Sequence, residues 1–325
     1  MDNLYVFTLL DWIDVNKIYW DRLSLNPNAI SLLEQNQDKI YWSYLSLNPN
    51  AISLLEQNQD KIHWVFLSSN PSAVALLEKN QDKIHWSWLS GNPNAMTLLE
   101  QNQDKIHWGD LSTNPNAIAL LEQNQDKIHW GLLSSNRNPN AMTLLEQYQD
   151  KIDWRNLSGN PNPNGFILLE QNQDKIDWDG LSYNTHSNAI SLLEQNQDKI
   201  NWRWLSYNSN PRAIPLVEQH LYKIDWEILS KNPKAIALLE QNQHKIDWEI
   251  LSENPNPNAI LLLEQNQDKI DWYRFSANPS IIEKKLNYVY VRKRMDIIRE
   301  ELITTSMHPT RLARYLELGG EIDDW

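Results

Sequence analysis

Apolar residues fall along this chain in an order that returns many times. In one copy, Asn26 to Leu47, Ala29, Ile30, Leu32 and Leu33 come first, then Ile40, Trp42 and Leu45, with polar residues between them. The first group has helical spacing and forms one broad stripe. Asn26 is a good N-cap, and Pro27 suits the first helical position, where its missing N–H costs nothing. Asn36 suits the C-cap because Asn tolerates the left-handed conformation. The pattern predicts a helix of about three turns. The second group predicts a shorter piece, α or partly 3₁₀, buried on two sides because Trp42 and Leu45 share a face that Ile40 does not. Asp38 can cap it. Later copies place Asp153, Asp177 and Asp225 two residues after the Lys, where a carboxylate favours the positive helix end.

The tetrad Lys-Ile-x-Trp marks the copies. Its Trp stands at 20, 42, 64, 86, 108, 130, 154, 178, 202, 226, 248 and 272, in steps of 22 or 24 residues. A helix pair this small cannot bury its own apolar face, so the copies must stack. The expected fold is all-α: an α-solenoid of short helix–turn–helix repeats. The period is too short for tetratricopeptide or ankyrin units, and the leucine-rich signature is absent. The nearest architectural analogue pairs an α-helix with a 3₁₀ turn in about 24 residues. Layers spaced by about 8–10 Å predict a rod or superhelix of roughly 100 Å. The two extra residues of the longer copies always fall between the short helix and the next long one, as in 134–142, 158–166, 182–190, 206–214 and 252–260, which predicts an exposed edge. The expected organisation is an N-terminal cap helix over 1–16, the twelve-copy solenoid over 17–280 and a C-terminal helical cap over 281–325. Within that cap, one amphipathic helix is expected over 282–303 and a second over 310–318, ending at Gly319-Gly320.

Composition narrows the function. The net charge is −13, which argues against nucleic acid as a partner and favours a basic protein surface. There is no cysteine, hence no disulfide or thiolate metal site. No signal peptide is legible and no apolar stretch reaches the length of a membrane span, so a soluble intracellular protein is expected, with no membrane partner. Eight glycines form no G-x-G, and H-E-x-x-H and G-x-S-x-G are absent. No catalytic residue, cofactor or metal is expected. His63, His85, His107 and His129 form a column, but layers about 10 Å apart cannot share a metal held at about 2 Å. Tyr, Asp and Asn take the same slot elsewhere, which reads as a solvated face.

Sixteen Trp against four Phe mark a copied residue. Trp42, Trp64, Trp86, Trp108, Trp130, Trp154, Trp178, Trp202, Trp226, Trp248 and Trp272 hold one register position, which predicts a structural core role. The repeated Asn before Pro could form a ladder, but helix capping is the expectation. The two positions after each Trp vary most, as does the one after Leu-Ser. In a solenoid, constant positions hold the stack and variable ones are available to a partner. Tyr44, Phe66, Trp88, Leu132, Arg155, Arg203, Trp204 and Tyr273 are therefore the candidate partner-binding residues; neutral drift of copied units is the competing explanation of the variability.

The unit LLEQNQDKIDW-x-x-LS-x-NPNAI resembles the tandem-repeat proteins of giant DNA viruses of amoebae, Mimivirus-type and relatives. The resemblance spans about Lys17 to Ser280, and Met307-His308-Pro309-Thr310-Arg311-Leu312 to Leu318-Gly319 is similar to a closing segment of such proteins. It implies a viral origin and a host-cytoplasm or virion setting, and no activity. The expected function is a non-enzymatic scaffold for a host or viral protein partner, with a structural part in the virion or virus factory as the alternative.

Overall fold

The computed structural model describes residues 4–306 and 308–318, and they divide into two compact units. One is the repeat body, Asp11–Ile281. The other joins Met1–Leu10 to Ile282–Trp325.

Each repeat is built as expected in outline and differently in detail. In the 22-residue copies the sequence Asn-Pro-Asn-Ala makes a turn, closed by the Ala29 N–H on the Asn26 carbonyl, and the first helix is short, Ile30–Glu34. In the 24-residue copies the two extra residues move the turn upstream. In three of them the helix then starts at the proline and runs nine residues, as in Pro139–Gln147, capped by Asn138; another starts at Ser187, and in the fifth a 3₁₀ turn, Pro211–Ala213, leads into Ile214–Gln219. A 3₁₀ turn such as Gln37–Lys39 follows, then two extended residues, then the Trp helix, Trp42–Leu45. The Asp slot caps the Trp helix as anticipated: Asp153, Asp177 and Asp225 each accept the N–H of the residue two beyond the Trp. His63, His107 and His129 do the same through Nδ1. Three of the four histidines of the column are thus exposed helix caps, and His85 holds the same position without the hydrogen bond.

The core is a repeating set of Leu, Ile and Ala with a buried Ser and Asn from every copy. The Trp column, expected in the core, is only half buried. Its outer face carries the lysine of the next repeat. Lys39 Nζ lies 4.6 Å from the Trp20 ring centre, and ten further joints repeat the stack. At Trp130 a tyrosine, Tyr148, takes the lysine's place at 5.1 Å.

The buried Ser and Asn tie the copies together, and the Asn before Pro serves both in the ladder and as a cap of its own turn or helix. Asn48 Nδ2 donates to the carbonyls of Ser24 and Asn26 in the preceding repeat, at 3.1 and 3.0 Å. Its Oδ1 accepts the N–H of Asn50 within its own turn. Ser24 Oγ donates to the Trp20 carbonyl and accepts the Tyr41 N–H of the next repeat. Both patterns run through every joint, so each buried polar group finds its partner in the neighbouring copy.

Neither ladder has a loose end. Asn26 donates to the carbonyl of Asn278, and the N–H of Tyr19 donates to Ser276 Oγ at 2.9 Å. Lys17 covers Trp272 at 5.0 Å, as each lysine covers the Trp before it. The first repeat therefore sits on the twelfth as the second sits on the first. The repeat body is a closed ring, and the expected rod is corrected: twelve joints share one full turn, about 30° each. At the closing joint the first helix is replaced by the 3₁₀ turn Pro279–Ile281 and, from the other end of the body, by Trp12 and the buried Ile13. Trp12 packs against Phe275, which stands where other copies have Leu, at 5.8 Å between ring centres.

Over most of the ring the short Trp helices approach their neighbours more closely than the longer first helices do. In a closed ring the more closely spaced layer has the smaller radius, so the Trp helices form the inner wall.

The second unit corrects the expected caps. Tyr5–Leu9 is a strand, β1, and Ile282–Leu286 is a strand, β2; they pair antiparallel with Tyr5 opposite Leu286 and Leu9 opposite Ile282. The N-terminal segment expected as a helix over 1–16 is thus this strand followed by the turn Val15–Lys17. Beyond β2, the helix expected from 282 spans Tyr288–Ser306, and the next is Pro309–Glu317, capped by His308. The expected stop at Gly319-Gly320 lies outside the described residues. Among the described residues no helix is long and apolar enough to cross a membrane.

Candidate functional site

On each Trp helix the Leu and Ser point into the core. The two residues after the Trp and the one after the Ser lie opposite, on the free side of the inner wall. These are the variable positions. All eight candidate residues stand there, and none is buried: Trp88 and Trp204 are each 44 % exposed. The wall is crowded along its circumference. Ser87 donates to Asp110 in the next repeat at 2.5 Å, and Asn156 Nδ2 to the Gly131 carbonyl.

The side chains fall into three sectors. Across the closing joint, Arg22 lies between two rings, with its guanidinium carbon 3.9 Å from the Tyr273 centre and 5.7 Å from that of Tyr44. Arg22 also donates to the Tyr273 hydroxyl, Tyr273 packs on Tyr19, and Tyr44 packs on Tyr41. Phe66 continues the aromatic row between His63 and Trp88. Candidates Tyr44, Phe66, Trp88 and Tyr273 thus belong to one aromatic and cationic stretch.

The second sector is ionic. Arg274 bonds Glu249 through Nε and Nη2, at 3.0 and 2.8 Å, and reaches Glu253 through Nη1; Lys231 holds Glu253 from the other side at 3.0 Å. Burial alone would raise Glu253, but hydrogen bonds from Lys231 and Arg274 outweigh it and hold the carboxyl below its ordinary range. The hydrogen bond from Arg274 to Glu253, and then the one to Glu249, push the guanidinium further up from its already high value. No residue of this network was among the candidates, although the i-to-next-copy pairing of Glu249 with Arg274 is visible once the copies are aligned by register.

The third sector holds a cavity of about 540 Å³ in the wall between Ser135 and Tyr207. Arg155 and Trp204 line it together, joined by Arg137, Asp179, Tyr183 and Tyr207. Candidate Arg203 is turned elsewhere, with Nε 3.7 Å from Asp225. Leu132 does not line the cavity. Gly159 and Gly180, both in variable slots, line it, and Gly159 leaves its slot open. A Cβ on Gly180 would come 2.9 Å from the Arg155 carbonyl oxygen, so this glycine is required where adjacent repeats come closest. A Cβ on Gly159 would meet nothing nearer than 3.6 Å. Arg137 was missed because it belongs to the insertion loop, read only as a spacer. Asp179 belonged to the variable pair but was not chosen.

Among the described residues no three His, Asp or Glu side chains converge as a metal site would require. Comparisons with protein families, with curated proteins and with solved structures returned no match.

Proposed function

We propose that this protein is a non-enzymatic scaffold whose inner wall binds a protein partner, host or viral, through the variable positions. The observation that carries this reading is the division of labour within each copy. The core and the ladders are built from positions shared across the copies, whereas the two residues after each Trp and the one after each Ser differ, lie together on one accessible face and include large aromatics of the kind that anchor interfaces. For the alternative, a structural part in the virion or virus factory, the mutual covering of the first and last repeats leaves the exposed edges of the ring as the contact surface.

The test is affinity capture followed by mass spectrometry with the full chain and with the double variant Trp88→Ala, Trp204→Ala. Both residues are exposed, so the variant should keep its melting temperature within a few degrees, as surface substitutions of about 0.5 kcal/mol do. Loss of specific partners from the variant is expected. Identical capture by both proteins would overturn the assignment of the inner wall.

A further inference from the structure

We infer that the cavity between Arg137, Arg155, Asp179, Tyr183, Trp204 and Tyr207 is a small-molecule site for an anion that carries an aromatic ring, of the size and chemistry of a nucleoside monophosphate. This goes beyond the protein-binding reading and stands or falls separately from it.

The anionic half follows from the arginines. In the inner wall, Arg22 is held by Tyr273, Arg203 by Asp225 and Arg274 by Glu249 and Glu253. Arg137 and Arg155 are the two that line the cavity, and among the described residues neither forms an ion pair with a carboxylate. In a chain of net charge −13, with acidic residues in excess, two guanidinium groups left free beside one cavity need an explanation. Arg presents a planar fork of donors that matches phosphate and carboxylate oxygens. The cavity's own carboxylate, Asp179, is engaged by the Asn201 amide at 2.8 Å. Its remaining acceptor capacity suits an exocyclic amino group.

The aromatic half follows from the rings that line the same cavity. Tyr183 and Tyr207 are nearly parallel, 5.9 Å between centres and 24° apart, and Trp204 meets Tyr183 edge-on at 6.2 Å. All three remain 38–44 % exposed. Partly exposed rings and guanidinium groups lining one cavity offer stacking to a planar ring and charge to an oxyanion. The volume lies within the range of small-ligand pockets.

The glycines make the site testable without disturbing the frame. Gly159 occupies the slot filled by Leu25 and Leu47 in the first two repeats, so Gly159→Leu places a side chain already accepted by the architecture into the cavity. Isothermal titration calorimetry of the full chain should be run with adenosine 5′-monophosphate, adenosine and inorganic phosphate. The monophosphate is expected to bind, and neither half alone should match it within tenfold. Gly159→Leu should abolish binding with an unchanged melting temperature, and Arg155→Ala should weaken it by about tenfold or more, the loss of one charge-assisted hydrogen bond. No heat of binding at millimolar monophosphate, or equal affinity in wild type and Gly159→Leu, would overturn the site. Equal affinity for adenosine and the monophosphate would overturn the anionic half. A captured protein partner that is insensitive to Gly159→Leu would leave the protein-binding reading intact whichever way the titration falls.

Discussion

Two neighbouring sectors of the same inner wall are built on identical frames and end in opposite electrostatic states. From Lys231 to Arg274 the variable residues satisfy one another: two cations and two carboxylates interlock across three repeats. From Ser135 to Tyr207 they do not. Among the described residues two of its arginines form no ion pair with a carboxylate, three aromatics are partly exposed, and Gly159 leaves its slot open. Closing a polar network on itself stabilises a fold and leaves little for a ligand. Leaving donors unsatisfied beside aromatic surface is the arrangement that a binding site requires. Variability alone therefore does not mark the functional part of a repeat surface; variable residues left without partners do.

The comparison can be broken first at the frame, where the effects should be largest. Asn160 donates to two carbonyls of the preceding repeat, whereas Asn254 donates to one, that of Ser230. Asn160→Ala should cost about 2–4 kcal/mol through buried carbonyls left unpaired, and Asn254→Ala less. Urea denaturation would measure both. Equal and negligible losses would mean that the ladder does not hold the ring. Next in size are the arginines. Arg274→Ala should destabilise by about 1 kcal/mol, the scale of a partly exposed network after solvent screening. Arg155→Ala should stay within about 0.5 kcal/mol because no ion pair is lost. A reversal of that order would erase the distinction between the sectors.

The smallest effect is in the pH dependence. Glu253 is held below its ordinary value of 4.5, so its contribution is present above that value and is lost as the pH falls through the lowered one. The stability difference between wild type and Glu253→Gln should thus be constant near neutrality and shrink below about pH 4.5. Thermal melts from pH 7 to pH 3 would show it. A difference that grows on acidification would contradict the ionic assignment.

Much of this was legible in the chain itself. The period, the α-helical class, the place of the two extra residues and the Leu, Ile and Ala core follow from spacing, because burial in a stack repeats whatever the unit repeats. Curvature was not legible. It depends on how much closer the Trp helices lie than the first helices, a difference of packing distance that no residue pattern announces. The ladder was less legible for a related reason: the Asn oxygen caps its own turn as expected, but whether its amide reaches the neighbouring copy depends on where that copy's carbonyl lies. Tyr5–Leu9 escaped because its partner lies beyond the last repeat, although the run Tyr-Val-Phe-Thr is rich in residues that favour strands. At the candidate site, Trp204 and Arg155 were found by register. Arg137 and the two glycines were not, since a cavity is made partly of what is missing.

The closed ladder also sets the arithmetic of change in this molecule. An open stack can gain or shed a unit at either end and lose only that unit's contacts. Here a thirteenth copy would require every joint to close from about 30° to about 28°, and an eleventh-only ring to open to about 33°, with all the Asn and Ser bridges moving together. Copy number behaves like the tooth count of a gear, fixed by the circumference. Duplication could build such a chain, but once the circle has shut, further divergence is confined to exchanging residues within existing copies, and the wall facing the centre is where exchange costs the frame least.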